Sequence, residues 1–187
     1  MRKLPIQTSN DKALDRQNGN GKRMIVDTQT HLHPPNWMKE MVEKGFLDVH
    51  SGKATATRWH GVSFSAVEDF TNIEKQMRVS AEAGVTHRLL GFSMIVTFAN
   101  EAFGIPTNEA AKIHNDFHAQ LREKYPRVIF PYGTVKPHDG KDAVKEAERC
   151  IENLGFKGLI IESSYGTNNR QYNHTVETFD FWEYVND

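Results

Sequence analysis

The stretch that most constrains this chain is Met24–Pro35, MIVDTQTHLHPP. It opens as a short apolar run, turns polar in alternation, and stops at a Pro-Pro. In a strand, residues two apart share a face, so Asp27, Gln29, His31 and His33 are expected to point the same way. His-x-His then offers two neutral nitrogen donors about 7 Å apart along the strand, close enough to converge on one ion. The plainer reading is a strand end carrying exposed polar residues.

At 187 residues the chain is one domain's worth, enough for a sizeable core. Hydrophobic residues at 38% and charged ones at 25% fit a soluble globular protein. A net charge of -1 gives no electrostatic case for nucleic acid or an anionic membrane. One cysteine, Cys150, rules out an internal disulfide and suits a reducing compartment, so the expected location is cytoplasmic. No apolar run is long enough to span a bilayer. Residues 1–22 lack the apolar centre of a signal peptide; their Asn, Gly, Asp and Gln content predicts a disordered polar tail before a domain at 23–187.

The chain then alternates. Pro34 to Phe70 has little regular period, with a short helix over Asn36–Lys44; loops that long often cover active sites. Thr71–Ala83 has helical spacing of Ile73, Met77 and Ala81, with Gly84 as its stop. Val85–Phe92 predicts a second strand. A helix runs from Thr107, its expected N-cap, to about Lys124, ended by Tyr125-Pro126. Val128–Val135 predicts a third strand. Asp139 or Asp142 opens a helix to Leu154, closed by Gly155. Phe156–Glu162 predicts a fourth strand, and FDFWEYVND begins a further helix. Strand–helix alternation of this kind implies parallel strands with helices outside.

Four motifs in this order resemble the N-terminal half of the amidohydrolase-related superfamily, within the group that includes aminocarboxymuconate-semialdehyde decarboxylase. They are VDTQTHLHPP, NIEKQMRVSAEAGVTHRLLGF, HNDFHAQLREKYPRVIFPYGTVKPH, and GFKGLIIESSYG with FWEYVND behind it. The resemblance covers roughly Arg23 to the end. It implies an α/β fold: the front half of a (β/α)8 TIM barrel, stopping after about four strands, where complete barrels need about 250 residues. It also implies a divalent metal, zinc above all, held at the C-terminal strand ends. In the family a fifth strand carries another His ligand and a later strand an Asp. Both positions, and the catalytic residues, fall beyond Asp187, so the chain reads as a fragment.

The implied activity is hydrolysis of an amide or ester, or non-oxidative decarboxylation, of a small carboxylic acid. The alternative is a catalytically inactive fragment or interaction module, and whether this chain is itself an enzyme stays open. The expected partner is a small-molecule substrate, and open barrel edges offer a route to a homodimer. A third alternative is a phosphoesterase-like barrel that uses Glu162 as a ligand.

The first strand departs from the family order Asp-x-His-x-His. Aligned on Asp27, the ligand positions become Gln29 and His31; shifted by two, they become His31 and His33. His31 and His33 are the metal candidates, with Gln29 and Glu162 as further ones. The resemblance implies that Gln29 need not abolish binding, since some group members replace the first His. Arg58 lies in the long first loop, where some family members use an Arg to hold a substrate carboxylate, a task that suits a guanidinium; the plainer reading is a surface Arg. His114 and His118, at i and i+4, read as a solvated helix face. His138 follows the third strand on the functional side. His174, in a loop, is rejected as a ligand. Cys150, Phe181 and Trp182 read as packing.

Overall fold

The computed structural model describes residues 23–45, 47–50, 53–56, 63–64, 67–91, 104–165 and 171–186. The first strand, β1 (Val26–His31), leads through Leu32–Pro34 into helix α1 (Pro35–Glu43), which starts at the Pro-Pro. Proline suits a first helical turn because the amide it lacks would have no partner there. The long stretch after α1 holds an antiparallel meander, β2 (Leu47–His50), β3 (Lys53–Ala56) and β4 (Ser63–Phe64), then a single turn of helix, α2 (Val67–Thr71). The meander was not expected; its strands are too short and too mixed to show a period of two.

Helix α3 (Ile73–Glu82) begins two residues later than expected because Asn72 is its cap, its side chain accepting from Lys75 N–H at 3.0 Å. Gly84, at φ 79°, ends the turn after it and delivers the chain to β5 (His87–Gly91). Helix α4 (Thr107–Lys124) keeps its expected span, but Pro106 occupies the cap and Thr107 is the first helical residue. Its Thr107 hydroxyl is buried with no hydrogen bond.

The expected third strand is two pieces, β6 (Ile129–Pro131) and β7 (Gly133–Thr134), which change neighbours at Tyr132. On one side β6 pairs with β5, and Tyr132 N–H reaches Leu90 O at 2.8 Å. On the other side β7 pairs with β8 (Leu159–Ile160), and Gly133 N–H reaches Gly158 O at 2.9 Å. The parallel strands β1, β5, β6–β7 and β8 therefore follow one another in chain order, with helices between them. This is a partial α/β fold of the predicted kind.

The helix expected up to Leu154 divides into α5 (Lys141–Glu148) and a wider π turn, Arg149–Asn153. A Cβ on Gly133 would lie 2.6 Å from Cys150 Cβ, so strand and helix touch here at a distance only glycine permits. A hairpin of β9 (Ser164–Tyr165) and β10 (Gln171–Tyr172) precedes α6 (Phe179–Asn186), the predicted final helix.

Among the described residues two cores hold these layers together. Leu32, Leu90, Leu121 and Ile129 pack with Ile73, Met77, Phe117 and Tyr125, joining β1, β5 and β6 to α3 and α4. Val135, Ala143, Ala147 and Phe181 pack with Leu159 and Trp182, joining the strand ends to α5 and α6. Fully burying a leucine such as Leu90 stabilises by about 2 kcal/mol. Asn115 of α4 clamps β7 from both sides: its carbonyl accepts from Thr134 N–H at 2.8 Å and its amide donates to Thr134 O at 3.0 Å. The same amide donates to buried Glu146 at 2.7 Å, and Arg149 neutralises that carboxylate at 2.7 Å. Cys150, Phe181 and Trp182 are packing residues, as expected. Among the described residues no helix is long and apolar enough to cross a membrane.

Candidate functional site

The alternation assumed for the first strand does not run through it. Asp27 lies opposite Arg88 and Thr30 opposite Leu90, so β1 uses three residues where β5 uses two. The extra residue is a bulge. Asp27 closes it: its carboxylate accepts from Gln29 N–H at 3.1 Å and from the Thr30 hydroxyl at 2.7 Å. Burial pulls the Asp27 carboxyl upward, but these two bonds and the nearby Arg88 charge hold it below the usual range. Past the bulge Thr30 is buried, Gln29 is exposed and His31 is half-buried.

His31 ends β1. Its Nδ1 lies 3.4 Å from Gly91 O, at the end of the neighbouring strand. A carbonyl calls for a donor, which places the proton on Nδ1 and leaves Nε2 as a lone pair. Metal-binding imidazoles are oriented by this same kind of backbone contact. The His31 carbonyl in turn accepts from the Gln76 amide at 3.2 Å.

His33 does not accompany it. The strand has ended, and His33 N–H is held by Phe70 O at 2.7 Å. Its ring is 1% exposed and sits 5.9 Å from the Trp37 ring, nearly parallel to it. His33 Nδ1 meets His114 Nε2 at 2.8 Å. His114 Nδ1 must donate to Ala110 O at 2.8 Å, so its Nε2 accepts and His33 Nδ1 carries the proton between the rings. His118 completes the group, donating from Nε2 to Leu32 O at 2.9 Å.

The expectation of a solvated face for His114 and His118 is therefore corrected. Both are fully buried. The reason is the stripe Ala110, Ala111, His114, Asn115, His118, Leu121, all buried along α4. That spacing is the helical apolar period, and it was visible in the sequence; the polar residue types hid it. Burial keeps these imidazoles neutral. It holds His33 well below its ordinary value, with the neighbouring histidines adding to the effect. Burial, then the His118 charge, takes His114 down to about 3, and burial takes His118 down to about 4. His118 Nδ1 is buried with no hydrogen-bond partner.

The other candidates are dispersed. Arg58 lies outside the described residues. Glu162 follows β8, half-buried, and burial raises its carboxyl above the ordinary range. Its N–H is bound by the Tyr165 hydroxyl at 2.9 Å, and that hydroxyl donates to Val135 O at 3.1 Å. The His138 ring stands 5.5 Å from the Tyr165 ring. His174 is exposed in the turn before α6. Among the described residues no group of three or more His, Cys, Asp or Glu side chains is arranged to hold a metal ion.

A pocket of about 540 Å³ opens beside the bulge, between β1 and α3. Gln29, His31, Phe70, Lys75 and Arg88 line it.

No family model matches the chain. It is 28% identical over 116 residues to a gamma-resorcylate decarboxylase from Polaromonas sp. (strain JS666 / ATCC BAA-500), covering 60% of this chain and 35% of that protein. A solved 5-carboxyvanillate decarboxylase from Novosphingobium aromaticivorans, complexed with manganese and 4-hydroxy-3-methoxy-5-nitrobenzoic acid, matches with a TM-score of 0.65 at 20% identity. That match covers 92% of this chain and 49% of the other. A putative amidohydrolase from Staphylococcus aureus matches with a TM-score of 0.59 at 16% identity, covering 87% and 44%. The chain thus spans about half the length of the solved structures it matches. These neighbours are the decarboxylases and amidohydrolases that the four motifs resemble, and what the chain shares with them is the fold of the part they have in common.

Proposed function

We propose that this chain forms the strand-first portion of a (β/α)8 barrel and supplies the first-strand ligand of a divalent-metal enzyme. The reaction proposed is non-oxidative decarboxylation of a small carboxylic acid, ahead of hydrolysis of an amide or ester. The observation that carries this reading is His31. It stands at the C-terminal end of β1, where barrels of this kind place functional groups, with Nδ1 turned to the Gly91 carbonyl and Nε2 left as a donor. The decarboxylase relatives, one of them with manganese in its solved structure, support the choice of chemistry.

The fit is that of one good ligand. His31 has the donor chemistry that zinc or manganese accepts, whereas His33 is enclosed with His114 and stands apart as part of the scaffold. Gln29 is exposed on the strand before His31, and Glu162 stays a candidate at the end of β8. The further ligands are proposed from outside the described residues. A divalent cation, when bound, polarises a substrate oxygen or acidifies a bound water. What this chain's own residues do is orient His31 from Gly91 and Gln76, and keep a dry, neutral wall behind it from His33, His114 and His118. A cytoplasmic location is proposed on the single cysteine alone.

The test is metal content per chain after loading with zinc or manganese, for the native protein and for His31→Ala and His33→Ala. About one ion per chain is expected, lost in His31→Ala. Uptake unchanged by His31→Ala would sink the reading. Release of CO2 from hydroxybenzoates tests the chemistry separately.

A second reading, an interaction module that works by pairing with another copy, is favoured by the edge of β1. Met24, Ile25 and Val26 are 44%, 39% and 38% exposed there, and Val79 of α3 is 53% exposed. An open, apolar strand edge is a template for pairing. Light scattering on the purified chain distinguishes a dimer from a monomer, and a monomer at all concentrations excludes this reading.

A further inference from the structure

The sheet divides at Tyr132, and the division leaves a gap. β6 pairs with β5 on one side; on its other side no described strand pairs with it, because β8 takes up only β7. A crevice of about 410 Å³ opens there. It is lined by Phe130 and Tyr132 from the strand, by Gly155, Phe156 and Lys157 from the approach to β8, and by Arg122 from the last turn of α4. It shares no lining residue with the pocket beside the bulge. Pro126 and Gly155–Lys157 precede their strands, whereas His31 ends its own, so the crevice belongs to the N-terminal end of the parallel strands.

Its charge is one-sided. The lining holds two cations, Arg122 and Lys157, and no carboxylate. Among the described residues neither is in an ion pair. Arg122 is held from behind: one terminal nitrogen donates to Leu154 O, and a Cβ on Gly155 would come 2.8 Å from that nitrogen. This bond fixes the guanidinium and leaves its other donors for a ligand. Lys157 is exposed and adds a point charge on a flexible stem.

The walls are aromatic. The Tyr132 ring lies against Gly158, where a Cβ would come 2.8 Å from two ring carbons. Phe130 stacks on His87 at 5.7 Å and is still 38% exposed. Rigid rings beside unpaired cations call for an anion carried on a flat ring. A single guanidinium fork already satisfies the two oxygens of a carboxylate. A fork and a separate point charge from different elements suit a phosphoryl group, with its three oxygens and about two charges.

We propose that this crevice is a binding site for a phosphorylated aromatic compound, whose phosphoryl oxygens meet Arg122 and Lys157 while its ring lies along Phe130 and Tyr132. The site is independent of the proposed function: it uses no metal and no residue of β1.

The experiment is calorimetric titration of the full chain, in chelator at low salt, with phenyl phosphate, adenosine monophosphate, phenol, inorganic phosphate and benzoate. Phenyl phosphate or adenosine monophosphate is expected to bind at least about 10-fold more tightly than phenol, phosphate or benzoate. The order of the first two assigns the ring to a simple aryl phosphate or to a nucleotide, and either order supports the proposal. Lys157→Glu, at an exposed position, should weaken the better of the two at least about 10-fold. Arg122→Met should do the same; because it also removes the bond to Leu154 O, Lys157→Glu is the deciding variant. Phe130→Ala should weaken the aromatic phosphate and leave inorganic phosphate unchanged. No binding of either aromatic phosphate, equal binding of inorganic phosphate or benzoate, or indifference to Lys157→Glu overturns the proposal. Metal uptake measured without chelator reads the proposed function separately, so either idea can fail alone.

Discussion

His33 Nδ1 donates to His114 Nε2 across 2.8 Å, joining the end of the first strand to the middle of α4 through two neutral imidazoles. The bond is made inside a box of Trp37, Phe70 and His118. The arrangement holds only while all three rings are uncharged.

Acid should therefore unfold this protein early. The folded-state values of His33, His114 and His118 lie below the unfolded value of 6.5, at about 3 for His114 and about 4 for His118. For a depressed histidine the unfolded chain binds the extra proton. Stability is thus complete above pH 6.5 and is lost as pH falls towards 4, by about 1.4 kcal/mol per pH unit for each group. Urea midpoints between pH 7 and 4 check this. His114→Leu should flatten the acid limb of the curve.

Asn115→Leu removes a side chain that bonds Thr134 N–H, Thr134 O and Glu146 at once. The buried strand groups lose their partners, at about 1–3 kcal/mol for each group left unsatisfied. Denaturant unfolding reads the loss, and hydrogen exchange should show Thr134 N–H newly labile.

Gly133→Ala would set a methyl 2.6 Å from Cys150 Cβ, 2.7 Å from its sulfur and 2.9 Å from Leu159. Cys150, which makes the two shortest contacts, is fully buried and has no open side to retreat to. Overpacking of this kind costs about 1–3 kcal/mol. The fall in melting temperature should exceed that of an alanine placed at Gly91, where the nearest contact is 3.1 Å and is the end of a side chain, Ile160 Cδ1.

Leu90→Ala opens a cavity where β5 meets both α3 and α4. Leu90 is 0% exposed and packs with Leu32, Leu121 and Ile129. A loss of about 2–5 kcal/mol is expected, measured by denaturant titration. A loss under 1 kcal/mol would mean that the helices do not pack on the sheet as described.

The sequence disclosed what repeats and concealed what happens once. The span of helix α4 was legible because Tyr125-Pro126 ends it, although its cap is Pro106 and not Thr107. That the strands run parallel with helices between followed from the alternation, while their succession in chain order was implied only by the family resemblance. The bulge was not legible, since it depends on which way the Asp27 side chain turns, and that shifted the faces assigned to Gln29 and His31. The histidine cluster was misread because charge-capable residues on a helix suggest water, while the stripe from Ala110 to Leu121 said otherwise. The break at Tyr132 and the wide turn at Cys150 follow from a close contact between Gly133 and Cys150, partners 17 places apart that no local window compares.

The succession of strands has a consequence for how the molecule is made. The β1–β5 pairing joins residues 61 apart, as between Ile25 and Thr86, and each later strand is laid beside the one before it. Every pairing after the first therefore finds its template already waiting as the chain emerges from the ribosome. The slow event is the first long closure. Once β5 has found β1, the growing sheet extends at its newest border, and the nascent chain is most vulnerable to false partners in the interval before that closure.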